Sequence, residues 1–450
     1  MTSPFRFFAT GADIPVIEDK ATVDSLYKKY RWRVILVTTL GYGFAYPLRL
    51  AMSIVKKPLL DAEIFTASEL GMIGSAFFYV YAVAKLTNGF LADHANIKRF
   101  FALGVLISAI MNLFMGWSTI LWVWIVLWGL NGWFQGFGAP SGAVGLSNWF
   151  SNRERGRYYG IWSTAHSLGE GLTFIVVAPL VSFFGWQAGF WGPGLFGIVT
   201  AFGIYTFLVD RPQTLGLPSV ADWRNDHAQS DSGDQQEAQE TRQLQLSVLK
   251  MPAIWVLGLA SATMYITRYA VNSWGILYLQ EARGFTLIQA GGLIGISTIA
   301  ALFGSVAYGF ISDKLFAARR PPVNLIFALL EVIALLIIFY GPVEYPGLLT
   351  AAFILYGFTL SGILASLGGL FAIDISPKKV AGAAMGIIGI FSYIGAGIQE
   401  QISGVLIEGG TTLVEGVTVY DFSTVIPFWI GSSIVSLLLA SSLWRIRVKA

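Results

Sequence analysis

Apolar stretches long enough to cross a membrane recur from one end of this 450-residue chain to the other. A bilayer core is about 30 Å thick, and a helix needs about 20 apolar residues to span it. Hydrophobic residues make up 55% of the chain and charged residues only 12%, whereas a soluble chain carries about 25% charged residues. The sequence therefore predicts an all-α membrane protein.

Twelve transmembrane helices are predicted. Their starts lie near Val34, Leu70, Phe100, Leu121, Tyr158, Gly189, Pro252, Ala290, Asn324, Gly347, Ala381 and Val425. The two helices around residues 100–142 are divided only by Gly116-Trp117-Ser118-Thr119, so a protein with ten or eleven spans remains the alternative.

Basic residues fall in alternate predicted loops, and such loops stay on the cytoplasmic side. They are Lys98-Arg99, Arg153/Arg155/Arg157, Arg211/Arg224/Arg242, Arg319-Arg320, Lys378-Lys379 and, in the tail, Arg445, Arg447 and Lys449. Both termini are therefore predicted to be cytoplasmic, with the chain in a bacterial inner membrane. Lys56-Lys57 is the exception, and we expect it in the first outer loop, facing Asp61, Glu63 and Glu69.

A long polar segment divides the chain into two predicted six-helix bundles. Its middle, residues 226–241, is rich in Gln, Asp, Glu and Ser, which is typical of a linker. The predicted domains are a leader (1–32), an N-terminal bundle (33–208), a linker (209–250), a C-terminal bundle (251–444) and a tail (445–450).

Several function classes are disfavoured by composition and motifs. The chain has no cysteine, which excludes disulfides and thiolate metal sites, and its net charge of +3 is too small to suggest nucleic acid. No metal cluster, nucleophile triad or nucleotide-binding loop is recognisable, so we expect no enzyme and no cofactor. The expected partners are the lipid bilayer and a small molecule, and the chain is expected to be a monomer.

The two halves repeat each other at an offset of about 220 residues. Gly89-Phe90-Leu91-Ala92-Asp93 returns as Gly309-Phe310-Ile311-Ser312-Asp313, and Arg49 in the first span returns as Arg268 in the seventh. Transporters built from such repeats bind their substrate at the interface of the halves, near the membrane centre.

Arg49 and Arg268 lie deep within apolar runs. Arg49 follows Arg33 by 16 residues, which is about 24 Å along a helix. A charge at this depth costs at least a few kcal/mol, so it should face a wet cavity and a counter-charge. Because guanidinium matches phosphate oxygens in a bidentate way, we predict an anion site between the two arginines. A structural ion pair with an acid on a neighbouring helix remains the alternative.

The Gly89–Arg99 stretch and its copy resemble the loop signature of the major facilitator superfamily. We expect Gly89, Asp93, Arg99, Gly309 and Asp313 to serve gating and helix packing. The whole chain resembles the organophosphate:phosphate antiporter family, in particular its hexose-phosphate and glycerol-phosphate transporters and the hexose-phosphate sensor. Matching elements include Gly41-Tyr42 with Arg49, Trp133-Phe134-Gln135-Gly136, Arg153-Glu154-Arg155-Gly156, Ala165-His166, Arg211-Pro212-Gln213, Tyr265 with Arg268, and Ser376-Pro377-Lys378-Lys379.

The resemblance implies a substrate site. Arg49 and Arg268 match the family's phosphate-binding arginines, Lys85 a cavity lysine, and His166 a histidine implicated in substrate binding. The matching cavity tyrosines are Tyr42, Tyr46, Tyr81, Tyr265 and Tyr393. The implied function is exchange of an organophosphate for inorganic phosphate by alternating access, in two rocking bundles.

The chain departs from the family at several positions. Leu50 stands where a lysine is common, no acid lies near Thr298, and Ala139-Pro140-Ser141 replaces Trp-Pro-Pro. Glu170 and Glu400 stand where we expect small or apolar residues, and they could neutralise Lys85 and His166, bind a proton, or hold a cationic group of the substrate. Two alternative functions follow: a receptor that signals to a membrane kinase, and a proton-coupled importer of another anion or zwitterion.

Overall fold

A computed structural model of the protein describes residues 7–226, 247–317, 319–342, 344–376, 381–415 and 417–444. Within these ranges eleven helices are long and apolar enough to cross a membrane. Predicted features that fall outside them are the middle of the linker with Arg242, the Pro377-Lys378-Lys379 sequence, and the tail residues Arg445, Arg447 and Lys449.

The first half contains six spans, α1 to α6. They are α1 (Lys20–Asp61), α2 (Ala67–His94), α3 (Ile97–Met115), α4 (Leu121–Gln135 followed by Gly138–Trp149), α5 (Asn152–Phe184) and α6 (Ala188–Phe207). The two parts of α4 are each too short to span a membrane alone, which is why eleven helices rather than twelve meet the length criterion.

The second half repeats this order. Its spans are α7 (Pro252–Glu281), α8 (Leu287–Leu315), α9 (Arg320–Tyr340), α10 (Pro346–Ile375), α11 (Ala381–Gly409) and α12 (Val425–Ser442). A short antiparallel hairpin, β1 (Thr412–Val414) and β2 (Val417–Val419), joins α11 to α12. We call this side of the bundle the hairpin end and the opposite side, where α6 meets residues 208–226, the linker end. The all-α membrane fold predicted from sequence is confirmed.

Two of the predicted helix starts were wrong, because polar caps extend the helices beyond their apolar stretches. Helix α1 begins at Lys20 rather than near Val34, and Asp19 accepts a 3.0 Å hydrogen bond from the Thr22 amide. Helix α5 begins at Asn152 rather than near Tyr158, behind a capping box of Ser151 and Glu154. Such caps satisfy amides that the first turn leaves free.

The beginning of the predicted linker packs against the first half. The Asp210 carboxylate accepts a 2.9 Å hydrogen bond from the Ile97 amide at the start of α3. The Asp210 carbonyl accepts a 3.0 Å bond from the Trp149 indole. A short helix, Val220–Arg224, follows, and its Trp223 ring stacks on Tyr27 at 4.0 Å. The predicted domain boundaries themselves stay a prediction.

The halves meet along two helix pairs, because α2 packs on α11 and α5 packs on α8. Within the second half, α8 and α10 approach closely at glycines. A β-carbon at Gly304 would lie 1.8 Å from the Phe358 carbonyl oxygen, so no other residue fits there. By contrast, a β-carbon at Gly89 or Gly309 would meet nothing within 4 Å. Neither Gly89 nor Gly309 lies at a close helix contact in this conformation, and their role in gating and packing stays a prediction.

Candidate functional site

Two adjoining cavities lie between the halves. One, of about 570 Å³, reaches from Arg268 and Glu170, which lie near the middle of α7 and α5, towards Ile373 and Met385. The other, of about 610 Å³, extends past Lys85 to Asp93. They share Ala139, Tyr159 and Trp162 as lining residues, and together they form one space that extends towards the linker end. This space is the candidate substrate site.

Arg49 adjoins this space through the lining residue Tyr81, whose ring lies 5.0 Å from the Arg49 guanidinium, and an interruption in α1 holds it there. Pro47 lacks an amide hydrogen and ends the helical ladder of Lys20–Phe44. The helix resumes at Pro47, which places Arg49 in the first turn of the new segment. The Leu48 carbonyl accepts bonds of 2.9 Å from the Asn112 amide and 2.8 Å from the Asn131 amide, so the turn is fixed from two neighbouring helices.

The Arg49 guanidinium is surrounded by aromatic rings. Its central carbon lies 5.3 Å from the Tyr46 ring, 5.4 Å from the Phe77 ring and 5.0 Å from the Tyr81 ring. The residue is only 8% exposed. Among the described residues no carboxylate lies within ion-pair distance of Arg49. The rings stabilise the charge through their quadrupoles without neutralising it.

Arg268, in contrast, is already paired. Its Nη2 donates to Glu170 Oε2 at 2.7 Å and lies 3.0 Å from His166 Nε2. The second oxygen of Glu170 accepts a hydrogen bond from the Asn272 amide of α7. Arg268 and Glu170 are both buried, and they come from different halves of the protein. We call this contact the central pair. In this structure Arg268 therefore forms the ion pair with an acid on a neighbouring helix that the sequence left open as the alternative to an anion site.

His166 and the predicted cavity tyrosines converge on the same place. Nδ1 of His166 contacts the Tyr46 hydroxyl, so the ring bridges Tyr46 and Arg268. Tyr393 packs on Tyr81 at 4.5 Å and on Tyr265 at 5.4 Å. Tyr42 lies against Tyr46 at 5.5 Å. The structure thus brings these predicted residues together, and their role in binding stays a prediction.

Lys85 stands on the solvent side of the site. Its Nζ lies 5.0 Å from the Tyr393 ring, and the side chain is exposed to the cavity rather than buried as its position in α2 suggests. Neither Glu170 nor Glu400 contacts Lys85, whereas Glu170 lies 3.5 Å from His166 Nε2. Of the possible roles for these acids, the structure therefore places one beside His166 and none beside Lys85. Arg49, Lys85 and Arg268 all lie within electrostatic range of the Tyr393 hydroxyl.

The site has an excess of positive charge. Arg49, Lys85 and Arg268 supply three cations, whereas Glu170 supplies one carboxylate. His166 faces a guanidinium through Nε2, so we count it as neutral. Among the described residues, two positive charges therefore remain uncompensated, which is the charge that a phosphate dianion would balance.

A second buried ion pair closes the space towards the hairpin end. Lys56 Nζ lies 2.8 Å from Glu400 Oε2 and 2.7 Å from Ser273 Oγ, and the lysine is fully buried. The Trp274 indole also donates to Glu400, at 2.9 Å. The expectation that Lys56 lies in an outer loop was wrong, because α1 continues to Asp61 and turns Lys56 inward. Lys57 does contact Asp61, at 2.9 Å. We call the Lys56–Glu400 contact the hairpin-side pair.

The predicted gating residues are arranged differently in the two halves. Arg320 bonds Asp313 at 3.0 Å and Asp374 at 2.6 Å, which ties α8, α9 and α10 together at the linker end. In the first half Asp93 is exposed, and Arg99 donates to the Phe7 carbonyl at 2.9 Å. Asp313 therefore has the packing partner that was expected of both aspartates. A gating role for any of them stays a prediction.

Sequence reasoning missed four residues that shape this region: Lys56, Asn272, Trp274 and Glu331. Asn272 and Trp274 lie in a π-helical turn, Ala270–Trp274, which is hard to recognise in sequence. Lys56 was noticed but placed in an outer loop together with Lys57, so its buried pairing with Glu400 was missed. Glu331 had a clear signal, because it is an acid in the middle of an otherwise apolar span. It is 2% exposed, and none of the described ion pairs includes it.

Comparison with known sequences agrees with this arrangement. The family profile described as Major Facilitator Superfamily matches residues 32–399. The membrane sensor protein UhpC of Salmonella typhimurium is 35% identical over 396 residues, which cover 87% of this chain and 89% of that protein. A probable hexose phosphate transport protein of Chlamydia pneumoniae is 33% identical, covering 87% and 88%. The glycerol-3-phosphate transporter of Bacillus subtilis is 32% identical, covering 87% and 89%.

Solved structures share the fold at low sequence identity. A bacterial homolog of the human lysosomal transporter Spinster superposes with a TM-score of 0.71 at 16% identity, covering 92% of this chain and 96% of that one. The nucleoside transporter NupG superposes with a TM-score of 0.68 at 14% identity, covering 93% and 100%. The predicted resemblance, to this superfamily and to hexose-phosphate and glycerol-phosphate transporters and their sensor, is confirmed.

Proposed function

Because this chain belongs to the Major Facilitator Superfamily, we propose that it exchanges an organophosphate for inorganic phosphate across the membrane by alternating access. Relatives of the chain are named as a probable hexose phosphate transport protein, a glycerol-3-phosphate transporter and a phosphoglycerate transporter. The organic part of the substrate is proposed to be of that kind, a small phosphorylated sugar or polyol.

One observation supports this proposal most strongly: Arg49 is buried among rings and has no carboxylate partner among the described residues. A buried guanidinium without a counter-ion is costly, and a ligand anion removes that cost. At an effective dielectric constant near 20, one charge contact at about 4 Å is worth roughly 4 kcal/mol before desolvation is subtracted. We therefore expect the contact with Arg49 to contribute most to the free energy of binding a phosphoryl group.

The charge of the site also gives a reason for exchange rather than one-way release. An empty site retains two positive charges near the membrane centre, and moving them through the closed state is unfavourable. Phosphate or an organophosphate neutralises them, so the loaded protein crosses between its two open states more easily. Return with a second anion is then faster than return empty.

Counterflow in liposomes tests the function. The full-length protein is reconstituted in liposomes loaded with inorganic phosphate, and uptake of labelled phosphate is measured. Glucose 6-phosphate, glycerol 3-phosphate and 3-phosphoglycerate are then added outside as competitors. We expect uptake that requires internal phosphate and is inhibited by at least one competitor. Uptake that ignores internal phosphate and collapses with an uncoupler would instead indicate a proton-coupled importer.

The variant Arg49→Lys tests, in the same assay, whether Arg49 binds the phosphate. Lysine keeps the charge but loses the bidentate fork, so we expect phosphate exchange to fall at least tenfold, a loss of about 1.4 kcal/mol. Arg153→Lys is the matched control, because Arg153 is largely exposed at the linker end, and it should leave exchange unchanged. Normal exchange by Arg49→Lys would refute the role given to Arg49.

A ligand receptor is the second candidate, because a relative that is 35% identical is named a membrane sensor protein. A receptor would use the same cations to bind a phosphorylated ligand but would not need to move it. Saturable phosphate binding without counterflow, in liposomes where a known exchanger works, would favour the receptor over the transporter.

A further inference from the structure

The central pair occupies the position on Arg268 that a phosphoryl group would need. A guanidinium binds an oxyanion bidentately through one of two faces, Nη1 with Nη2 or Nε with Nη2. Nη2 belongs to both faces. In this structure one Nη2 contact goes to Glu170, at 2.7 Å, and the other to His166 Nε2, at 3.0 Å. Neither face of Arg268 is therefore free for a bidentate ligand.

Glu170 contacts side chains other than Arg268, and these contacts hold its carboxylate in place at the site. Asn272 donates to its second oxygen, and His166 lies one helical turn before it, 3.5 Å away through Nε2. The residue is 2% exposed, and Arg268 is 5% exposed. A carboxylate held this way neutralises Arg268, whereas Arg49 and Lys85 keep their charges.

We propose that Glu170 is an internal substitute for the substrate's phosphoryl group: it occupies Arg268 in the empty site and is displaced when phosphate binds. The incoming anion first meets Lys85, which lines the cavity, and then Arg49, which is hydrogen-bonded to Tyr393. Neither cation has a carboxylate partner among the described residues. It then replaces Glu170 on Nη2, and the carboxylate keeps its hydrogen bond from Asn272. The proposal rests on the proposed function and makes Glu170 a residue that weakens, and thereby sets, the affinity for phosphate.

Equilibrium binding of inorganic phosphate to the full-length protein in nanodiscs tests this. Glu170→Gln removes the charge but keeps an oxygen that can accept from Asn272. We expect it to bind phosphate about tenfold more tightly than the wild type, a gain of about 1.4 kcal/mol. The double variant Glu170→Gln with Arg268→Gln should bind more weakly than the wild type, because it lacks the guanidinium that the displacement frees.

Two further variants make the test selective. Glu154→Gln removes a carboxylate that is paired with a different arginine, Arg31, within the first half and does not touch Arg268. Its dissociation constant should stay within about twofold of the wild-type value, as measured on the folded fraction. If Glu170→Gln does not fold, Glu170→Asp replaces it, since the shorter side chain loosens the contact and should tighten phosphate binding by a smaller factor.

The outcomes separate this inference from the proposed function. If Glu170→Gln binds phosphate as the wild type does or more weakly, Glu170 only positions Arg268, and the inference is overturned while the function stands. If neither the wild type nor Glu170→Gln binds phosphate at millimolar concentration, the proposed function itself fails.

Discussion

Arg49 and Arg268 occupy matching places in the two halves but are in different electrostatic states. Arg49 is stabilised by three aromatic rings and no carboxylate, whereas Arg268 lies near two rings and is paired with a carboxylate. A ring lowers the cost of burying a cation by about 0.5–2 kcal/mol without cancelling its charge. The arginine without a carboxylate therefore stays attractive to an anion, whereas the paired arginine must first lose its partner.

The ring of Tyr81, rather than its hydroxyl, is expected to matter for Arg49. Tyr81→Leu removes the ring that lies 5.0 Å from the guanidinium. We expect this variant to lose about 1 kcal/mol of stability and to raise the phosphate concentration needed for half-maximal exchange several-fold. Tyr81→Phe keeps the ring and should behave as the wild type in thermal unfolding and in exchange. Equal losses in both variants would instead assign the effect to the hydroxyl.

At the level of helices, the site depends on places where regular α-helix is interrupted. Helix α1 breaks before Pro47, and α7 contains the π-helical turn Ala270–Trp274, which begins two residues after Arg268. In the π-helical turn of α7 the additional residue turns Asn272 towards Glu170 of α5 and Trp274 towards Glu400 of α11. Glu170 and Glu400 belong to different halves. A second π-helical turn, Ser366–Leu370 in α10, lines the cavity. Such turns often occur at functional sites.

Helix α9 contains a buried acid whose removal is expected to stabilise the protein. Glu331 lies in the middle of the span, near Ser433 of α12 and Tyr356 of α10, and none of the described ion pairs includes it. Burying a carboxyl group without full compensation costs about 1–3 kcal/mol. Glu331→Leu should therefore raise the melting temperature in detergent by a few degrees.

Ile333→Leu is the control for that prediction, because Ile333 is half exposed on the same helix and the change preserves volume. Its melting temperature should equal that of the wild type. A lower melting temperature for Glu331→Leu would show that the carboxyl group makes a stabilising contact. Higher stability combined with lost phosphate exchange would assign Glu331 a functional role.

In the whole molecule, two buried ion pairs join the halves in a crossed arrangement. The hairpin-side pair links α1 to α11, and the central pair links α7 to α5. The central pair lines the cavity, whereas the hairpin-side pair lies outside it, so a movement that opens the hairpin end has to separate Lys56 from Glu400. We therefore expect the hairpin-side pair to help keep the hairpin end closed while the cavity extends towards the linker end.

Breaking the hairpin-side pair is expected to destabilise the closed hairpin end. Lys56→Met leaves Glu400 buried without its cation, which typically costs about 3–5 kcal/mol. The melting temperature should fall, and the double variant Lys56→Met with Glu400→Met should recover most of the loss, because apolar side chains replace both charges.

The chain contains no cysteine, so opening of the hairpin end can be followed directly. Ser53→Cys places a thiol in the same helix as Lys56, where the wild-type side chain is buried. A membrane-impermeant thiol reagent should label it faster in Lys56→Met than in the otherwise unchanged protein. Equal labelling rates would show that Lys56 does not hold this end closed.

The sequence alone determined the spans, the two-fold repeat, the depth of Arg49 and Arg268, and the chemistry that this depth implies. These follow from local properties: an apolar run of sufficient length must lie in lipid, and a charge within it must face a cavity or a partner. The cavity tyrosines and His166 came from the family resemblance, and the structure does bring them together. Glu331 was readable from sequence in the same way as the arginines and was overlooked.

Only the tertiary structure decided which charges meet. Lys56 pairs with Glu400 across 344 positions and Arg268 with Glu170 across 98, in each case between different halves. No sequence periodicity encodes such contacts, because they depend on how the two bundles dock and on the π-helical turn that rotates Asn272 and Trp274. Whether a buried arginine is free for a ligand is therefore set by partners that are distant in sequence and fixed only by packing.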